Sequence, residues 1–302
     1  MQNSKIEWTH HTFNPWWGCA KVSAGCEHCY AETFSKRTGH DIWGPPKTTT
    51  RRAFGDKHWR EPLKWNQSAK AAGQRHRVFC ASMADVFEDH PQVTEERRRL
   101  LDLIVHTPHL DWLLLTKRPE NVNRMIEEAT GFSESGMWFH AVGDHVWIGT
   151  SVEDQAAADK RIPALLNVPA KIRFLSCEPL LGPVDLDPWF GLEDGNEWQE
   201  CLCNEIDPSD RPCMVCESRR ELGQASGIHW VIVGGESGPG ARMMDLRWAE
   251  NLVAQCQGAG ISIHVKQLGS VSAKEMGLKD RKGGDWMEWP EHLRIREYPI
   301  GE

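Results

Sequence analysis

From residue 78 onward, short β-rich runs alternate with longer amphipathic stretches, and this restricts the chain to an α/β fold on a parallel sheet. Strands are expected at Val78–Ser82, Trp112–Thr116, Val146–Thr150, Ile172–Ser176, His229–Gly234 and Ile261–Lys266. Helical periodicity fills the gaps at Thr94–Val105, Glu120–Ala129, Gln155–Leu166 and Leu246–Gly258. Parallel strands need crossovers of about this length, and such crossovers run right-handed. One more strand around His11–Pro15 brings the tally to about seven βα units. That suits a full or partial (β/α) TIM-like barrel better than a doubly wound sheet.

Each expected strand runs straight into polar or special residues. The tails read Ser82-Met-Ala-Asp85, Thr116-Lys117-Arg118-Pro119, Thr150-Ser-Val-Glu153, Ser176-Cys177-Glu178-Pro179, Gly234-Gly-Glu236-Ser-Gly-Pro-Gly240 and Lys266-Gln267. In a barrel these positions converge on the carboxyl-terminal face, where barrel active sites are built. A helix cap explains one such tail; six in succession point to a site.

The 302 residues, 40% hydrophobic and 26% charged, are globular in composition and read as one barrel domain over residues 1–302. Two segments interrupt the alternation. Residues 31–77, rich in Trp, Pro, Lys and Arg, read as an irregular excursion with one or two helices, and residues 187–228 as an acidic, cysteine-bearing insertion. The tail after Ser270 is expected to pack across the barrel. The start has no apolar core of the signal-peptide kind, and the longest apolar runs are far too short to cross a bilayer. A cytoplasmic protein without membrane association is expected. A net charge of -8 excludes a surface uniformly suited to nucleic acid but leaves room for a local basic channel. Basic residues gather at Lys47–Arg52, Arg75–Arg77, Arg97–Arg99 and Lys117–Arg118, of which Arg97–Arg99 reads as a solvated helix face.

Ten cysteines in a reducing compartment argue for metal binding or catalysis over disulfides. Three follow the first expected strand in the run Asn14-Pro-Trp-Trp-Gly-Cys19 … Gly25-Cys26-Glu-His-Cys29-Tyr30, with spacing C-x6-C-x2-C. Thiolates suit iron–sulfur clusters and zinc, and three ligands without an obvious fourth leave one metal position open. Gly18 and Gly25 let the loop wrap tightly. The competing reading is a zinc site completed by His28, His10 or His11. Trp16, Trp17 and Trp43 stand near the loop and are candidates to stack on a base or adenine, though core and rim positions are commoner for tryptophan. A second group, Cys201, Cys203, Cys213 and Cys216, has the compact spacing of a closed site, with zinc the first choice and an auxiliary cluster the second. Cys80 and Cys256 read as core.

On the run from NPWWGC through TKRP, SVED, CEPLLGP and VGGESGPGAR to VKQLG, the chain resembles, over nearly its full length, a family of phage and bacterial proteins. That family is known as the three-cysteine-motif phage proteins, a domain of unknown function. Three cysteines after the first strand of an α/β barrel also resemble the radical S-adenosylmethionine superfamily, and Cys26-Glu-His-Cys29-Tyr30 is similar to a segment of spore photoproduct lyases. The resemblance implies a [4Fe-4S] cluster on Cys19, Cys26 and Cys29 that binds S-adenosyl-L-methionine, yields a 5′-deoxyadenosyl radical and draws electrons from a donor such as flavodoxin or ferredoxin. It also implies host cytoplasm as the location of a phage-encoded copy.

The first gap is three residues longer than in that superfamily, and its Gly-Gly-Glu element is missing after the second strand. Ser82 and Asp85 take that place, while Gly234-Gly-Glu236 and Cys177-Glu178 occur after later strands. Cofactor contacts are therefore expected from Ser82, Asp85, Thr116, Lys117, Arg118, Glu153, Glu178 and Glu236. Lys117 or Arg118 is a candidate partner for the methionine carboxylate, with a surface ion pair the competing reading. Cys177 is a candidate hydrogen-atom donor, the role of a cysteine in spore photoproduct lyases, with a buried core thiol the competing reading. The substrate expected from the basic segments and the phage setting is a nucleotide or nucleic-acid base, in modification or repair. The alternatives are a zinc protein that contacts nucleic acid and an iron–sulfur redox protein without S-adenosylmethionine chemistry.

Overall fold

The computed structural model describes residues 4, 6–190 and 227–299. Seven parallel strands form one curled sheet, a half-barrel, in the spatial order in which they occur along the chain. The first is β1 (His11–Thr12); β2 (Trp16–Trp17) then leaves the sheet to pair antiparallel with β3 (Arg52–Ala53). Between these two lies α1 (Tyr30–Arg37), and after them come α2 (Asp56–Trp59) and α3 (Glu61–Ala72). The excursion at 31–77 thus contains three helices and one arm of a small sheet.

The main sheet continues with β4 (His76–Cys80), α4 (Thr94–Val105), β5 (Leu110–Thr116), α5 (Val122–Thr130), α6 (Ser135–Val142), β6 (Val146–Ser151), α7 (Gln155–Leu166) and β7 (Ile172–Cys177). It ends with β8 (Trp230–Gly234), α8 (Leu246–Gly258), β9 (Ser262–Gln267) and α9 (Ser270–Glu275). Of the helices expected from periodicity, Thr94–Val105, Gln155–Leu166 and Leu246–Gly258 keep their limits. The short α6 was not expected; its sequence, SGMWFHAV, is apolar nearly all round and carries no clear helical stripe.

Strand residues alternate between two separate cores, as a two-unit side-chain period demands. On one face Val78, Cys80, Trp112, Leu114, Val146, Ile148, Leu175, Cys177, Val231 and Val265 pack with helix residues such as Leu100, Ile104, Ile126, Ile162 and Leu252. The other face carries Phe79, Leu113, Trp147, Phe174, Trp230 and Ile232, joined by Trp8 and, among the described residues, by no helix. Helices on a single face distinguish a barrel-type sheet from a doubly wound one. Each large side chain so buried contributes roughly 1.5–3 kcal/mol. This second core is tight: a Cβ on Gly149 would overlap the Phe174 ring.

The tail after α9 packs across the sheet, as expected, with Trp289, Leu293 and Ile295 in the helix-facing core and Tyr298 against the second one. Its last described stretch runs antiparallel to β9, with Val265 N–H donating to the Ile295 carbonyl at 2.9 Å and Glu297 N–H to the Ile263 carbonyl at 2.9 Å. Tyr298 packs 5.6 Å from Trp230, and the Arg77 guanidinium lies 3.9 Å above the Tyr298 ring. Among the described residues no helix is long and apolar enough to cross a membrane.

Candidate active site

All the expected polar tails lie at the carboxyl ends of the strands, and the Cys19–Cys29 loop is tied to them at three places. The first tie comes from the β4 and β5 ends. Asp85 accepts hydrogen bonds from Thr116 Oγ1 at 2.6 Å, Lys117 N–H at 3.0 Å and Arg118 Nη1 at 2.7 Å. Arg118 is thereby aimed at the loop, where Nη2 donates to the Ala20 carbonyl at 2.8 Å and Nη1 stands 3.8 Å from Cys19 Sγ. Glu88 completes the clamp. It accepts from Ala20 N–H at 2.7 Å and is held by Arg51, whose Nη2 donates at 2.8 Å and Nε at 2.9 Å. Charges this deeply buried persist only when paired and hydrogen-bonded, and here both conditions are met.

The second tie comes from β6. Glu153 accepts from Arg161 Nη1 at 2.7 Å and lies 3.4 Å from Lys117 Nζ. Burial pushes its carboxyl up, but Lys117 and Arg161 more than offset this and hold it down at about 2. Its second oxygen, Oε1, is buried, and the Ser23 side chain on the loop also helps to hold the charge. Gly25 is pressed against this pair, for a Cβ there would come within 3.1 Å of the Glu153 carboxyl carbon and 3.2 Å of Lys117 Nζ.

The third tie comes from the β8 loop. Glu236 accepts from Arg242 Nη2 at 2.7 Å and Nε at 2.9 Å, and lies 3.2 Å from His28 Nδ1. Burial works against its charge, yet the bonds from Arg242 and His28 hold its carboxyl below the usual range. Arg242 reaches on to the Ala24 carbonyl at 3.0 Å and Glu27 at 3.1 Å. At the loop's entrance Gly18 adopts φ +113°, and a Cβ there would lie 2.5 Å from the Ile42 carbonyl oxygen.

The three loop cysteines are free and half-buried, whereas Cys80, Cys177 and Cys256 are fully buried. As a donor set, three uncommitted thiols on one clamped loop are right in kind for a thiolate-bound cluster. They do not converge as the chain lies: among the described residues no three His, Cys, Asp or Glu side chains stand where they could share an ion. Cys19 is turned to Arg118, and Cys26 Sγ lies 3.9 Å from Ser23 Oγ. Burial, with Asp85 and Glu88 adding to it, pushes the Cys19 thiol well up, and burial also raises Cys29. Both are held as thiols, so binding a metal requires each to release a proton.

Several expectations need correcting. Asp85, Thr116 and Arg118 are bonded to one another, and Arg118 also to the loop backbone, so in this structure they brace the site. Arg118 is no surface ion pair either, being 8% exposed. Arg97 is not on a solvated face: it is 3% exposed and donates to the Val86 and Glu88 carbonyls, supporting the loop after β4. Helical periodicity could not have shown this, because long basic side chains normally snorkel outward. Cys177 packs in the helix-facing core with no solvent exposure, the core-thiol position. Trp16 is fully buried and unavailable for stacking. His10 and His11 belong to another cluster, stacked on His76 at 4.9 Å and Trp65 at 4.4 Å. Ser82 shares hydrogen bonds with Asn14, and its carbonyl accepts from the Tyr30 hydroxyl at 2.8 Å.

Glu178 and Lys266 form a doubly hydrogen-bonded pair, at 2.7 and 2.8 Å, across the carboxyl ends of β7 and β9. Both remain about one-fifth exposed, as does Lys117. Sequence reasoning singled out Glu178 and Lys117 but gave Lys266 no role, although it opens the sixth of the polar tails. It also missed Glu88, Arg51 and Arg242, which lie outside the strand tails. The Cys201, Cys203, Cys213 and Cys216 group lies outside the described residues.

No curated protein and no solved structure matches the chain. Residues 3–292 match the family described as protein of unknown function DUF5131, and the chain belongs to that family.

Proposed function

We propose that the chain is a radical S-adenosyl-L-methionine enzyme whose Cys19, Cys26 and Cys29 hold a [4Fe-4S] cluster. The observation that carries this reading is the clamping of a three-thiol loop over the carboxyl end of a parallel half-barrel, by groups from four strand ends. A bound cluster supplies one-electron cleavage of the cofactor's sulfur–carbon bond. The chain's own residues bind, orient and exclude water. Lys117 offers a fixed cation for a carboxylate, and Glu178 an acceptor for an amine, each still reachable from solvent. Asp85, Glu88, Arg118 and Arg242 hold the loop backbone in place, the supporting role that a preorganised site requires.

One observation favours a second reading. His28 sits between Cys26 and Cys29 with its Nδ1 3.2 Å from the Glu236 carboxylate. A carboxylate behind an imidazole is the usual outer support of a zinc-bound histidine. On that reading Cys26, His28 and Cys29 hold zinc and the chemistry is not redox.

Anaerobic reconstitution with iron and sulfide decides between them. A brown protein that releases 5′-deoxyadenosine from S-adenosyl-L-methionine and dithionite is expected. Cys29→Ala should then lose the cluster absorption while Cys177→Ala keeps it. A colourless, zinc-loaded protein whose metal is lost in His28→Ala would overturn the proposal in favour of zinc. A reducible cluster that never cleaves the cofactor would leave the cluster and remove the radical chemistry.

A further inference from the structure

Residues 31–77 carry eleven Lys and Arg against four Asp and Glu, a net of +7 in a chain of -8, so the remainder carries -15. This one excursion therefore holds a positive field on an otherwise acidic molecule. Its first helix, α1, starts directly after Cys29. Tyr30 and Phe34, four residues apart and so on one face of that helix, are 58% and 38% exposed.

From Phe34 a connected strip of rings runs on. Phe34 packs edge-on against Trp17 at 5.9 Å, Trp17 against Phe54 at 5.7 Å, and Phe54 lies 4.4 Å from His58. Arginines lie over it: Arg37 is 5.6 Å from the Phe34 ring, and Arg52 is 4.7 Å from Trp17 and 5.3 Å from Phe54. At its far end His58 Nε2 lies 2.8 Å from the Asn14 carbonyl, and Asn14 bonds to Ser82. Tyr30 reaches the same residue through its hydroxyl. The strip thus runs from the exposed face of α1 to the rim of the thiol loop.

We infer that this strip binds single-stranded nucleic acid and leads it to the site. The inference deepens the reading above by naming the substrate class. Exposed rings give bases a stacking surface, arginines give the backbone its counter-charge, and neither depends on sequence. The positive balance of this segment in an acidic protein favours a polyanion beside Arg37 and Arg52. An unpaired strand presents its bases to the rings without the unstacking that a duplex requires.

Fluorescence anisotropy of the full-length chain with a labelled single-stranded DNA of about 16 nucleotides tests this. Binding should be tighter than for a duplex of the same sequence and should weaken steeply with salt. Phe34→Ala should weaken it about tenfold, and Arg37→Glu should lower both the affinity and the salt slope. Arg98→Glu, an equal charge change on the outer helix α4, should have little effect. Preferential duplex binding, unchanged affinity in both strip variants, or an equal loss in Arg98→Glu would overturn the inference. Circular dichroism of each variant separates lost binding from lost folding. Because the assay needs neither cluster nor S-adenosyl-L-methionine, its failure is distinguishable from failure of the radical chemistry.

Discussion

Arg118 Nη1 stands 2.7 Å from Asp85 Oδ2 and turns the same guanidinium towards the Cys19 sulfur. The pair is buried, and removing one partner leaves the other charge uncompensated. Arg118→Met should therefore destabilise the fold by roughly 3–5 kcal/mol in urea unfolding. Arg118→Met combined with Asp85→Leu should lose much less than the two single changes summed. Additive losses would show that the two residues act independently.

Glu153 sets an acid limit. Its carboxyl is held at about 2, against an ordinary 4.5. A depressed folded value means that its contribution is complete above the ordinary value and is lost as pH falls from about 4.5 towards 2. The shift corresponds to about 3 kcal/mol. Glu153→Gln should lose stability of this order at pH 7 and flatten the pH dependence in that window. An unchanged slope would show that Lys117 and Arg161 do not act through this carboxylate.

His264 works at milder acidity. It is fully buried in β9, both ring nitrogens lack hydrogen-bond partners among the described residues, and burial, with Arg296, Lys266 and Arg77 nearby, lowers its value to about 3. The unfolded chain takes up the proton near 6.5, so stability should fall as pH drops from about 6.5 towards 3. His264→Phe should remove that slope. It should also raise neutral stability by about 1–2 kcal/mol through loss of two unsatisfied polar atoms. The midpoint of urea unfolding against pH reports both effects.

Gly149 tests the second core. A methyl group there meets the Phe174 ring at a distance no packed interior accepts. Gly149→Ala should cost about 1–3 kcal/mol by overpacking. Shrinking the ring in Gly149→Ala/Phe174→Leu should restore part of it, measured as thermal unfolding midpoints.

The sheet was legible because its signal is local. Short, continuous β-rich runs, and a period of 3.6 between them, survive without knowledge of any partner, and helices such as Gln155–Leu166 follow. The polar tails were legible for the same reason. Their division of labour was not, because a carboxylate that binds a ligand and one that braces a loop have the same side chain. Asp85 and Glu178 both follow strands; only the distances to Arg118 and Lys266 separate the brace from the exposed pair. Arg97 and Arg242 were lost because their roles depend on carbonyls that the chain brings to them from other elements. The two-stranded sheet of Trp16–Trp17 with Arg52–Ala53 is too short for any periodicity to register.

The brace between His28 and Glu236 spans 208 positions, and the one from Arg242 to Ala24 spans 218. Contacts of such separation close late, after the local helices and neighbouring strands have formed. The thiol loop is made early in synthesis, is braced first by Glu88, Arg118 and Glu153, and lacks its third tie until the β8 loop has left the ribosome. The loop therefore reaches its fully clamped form only in the finished chain, although its cysteines are among the first residues made.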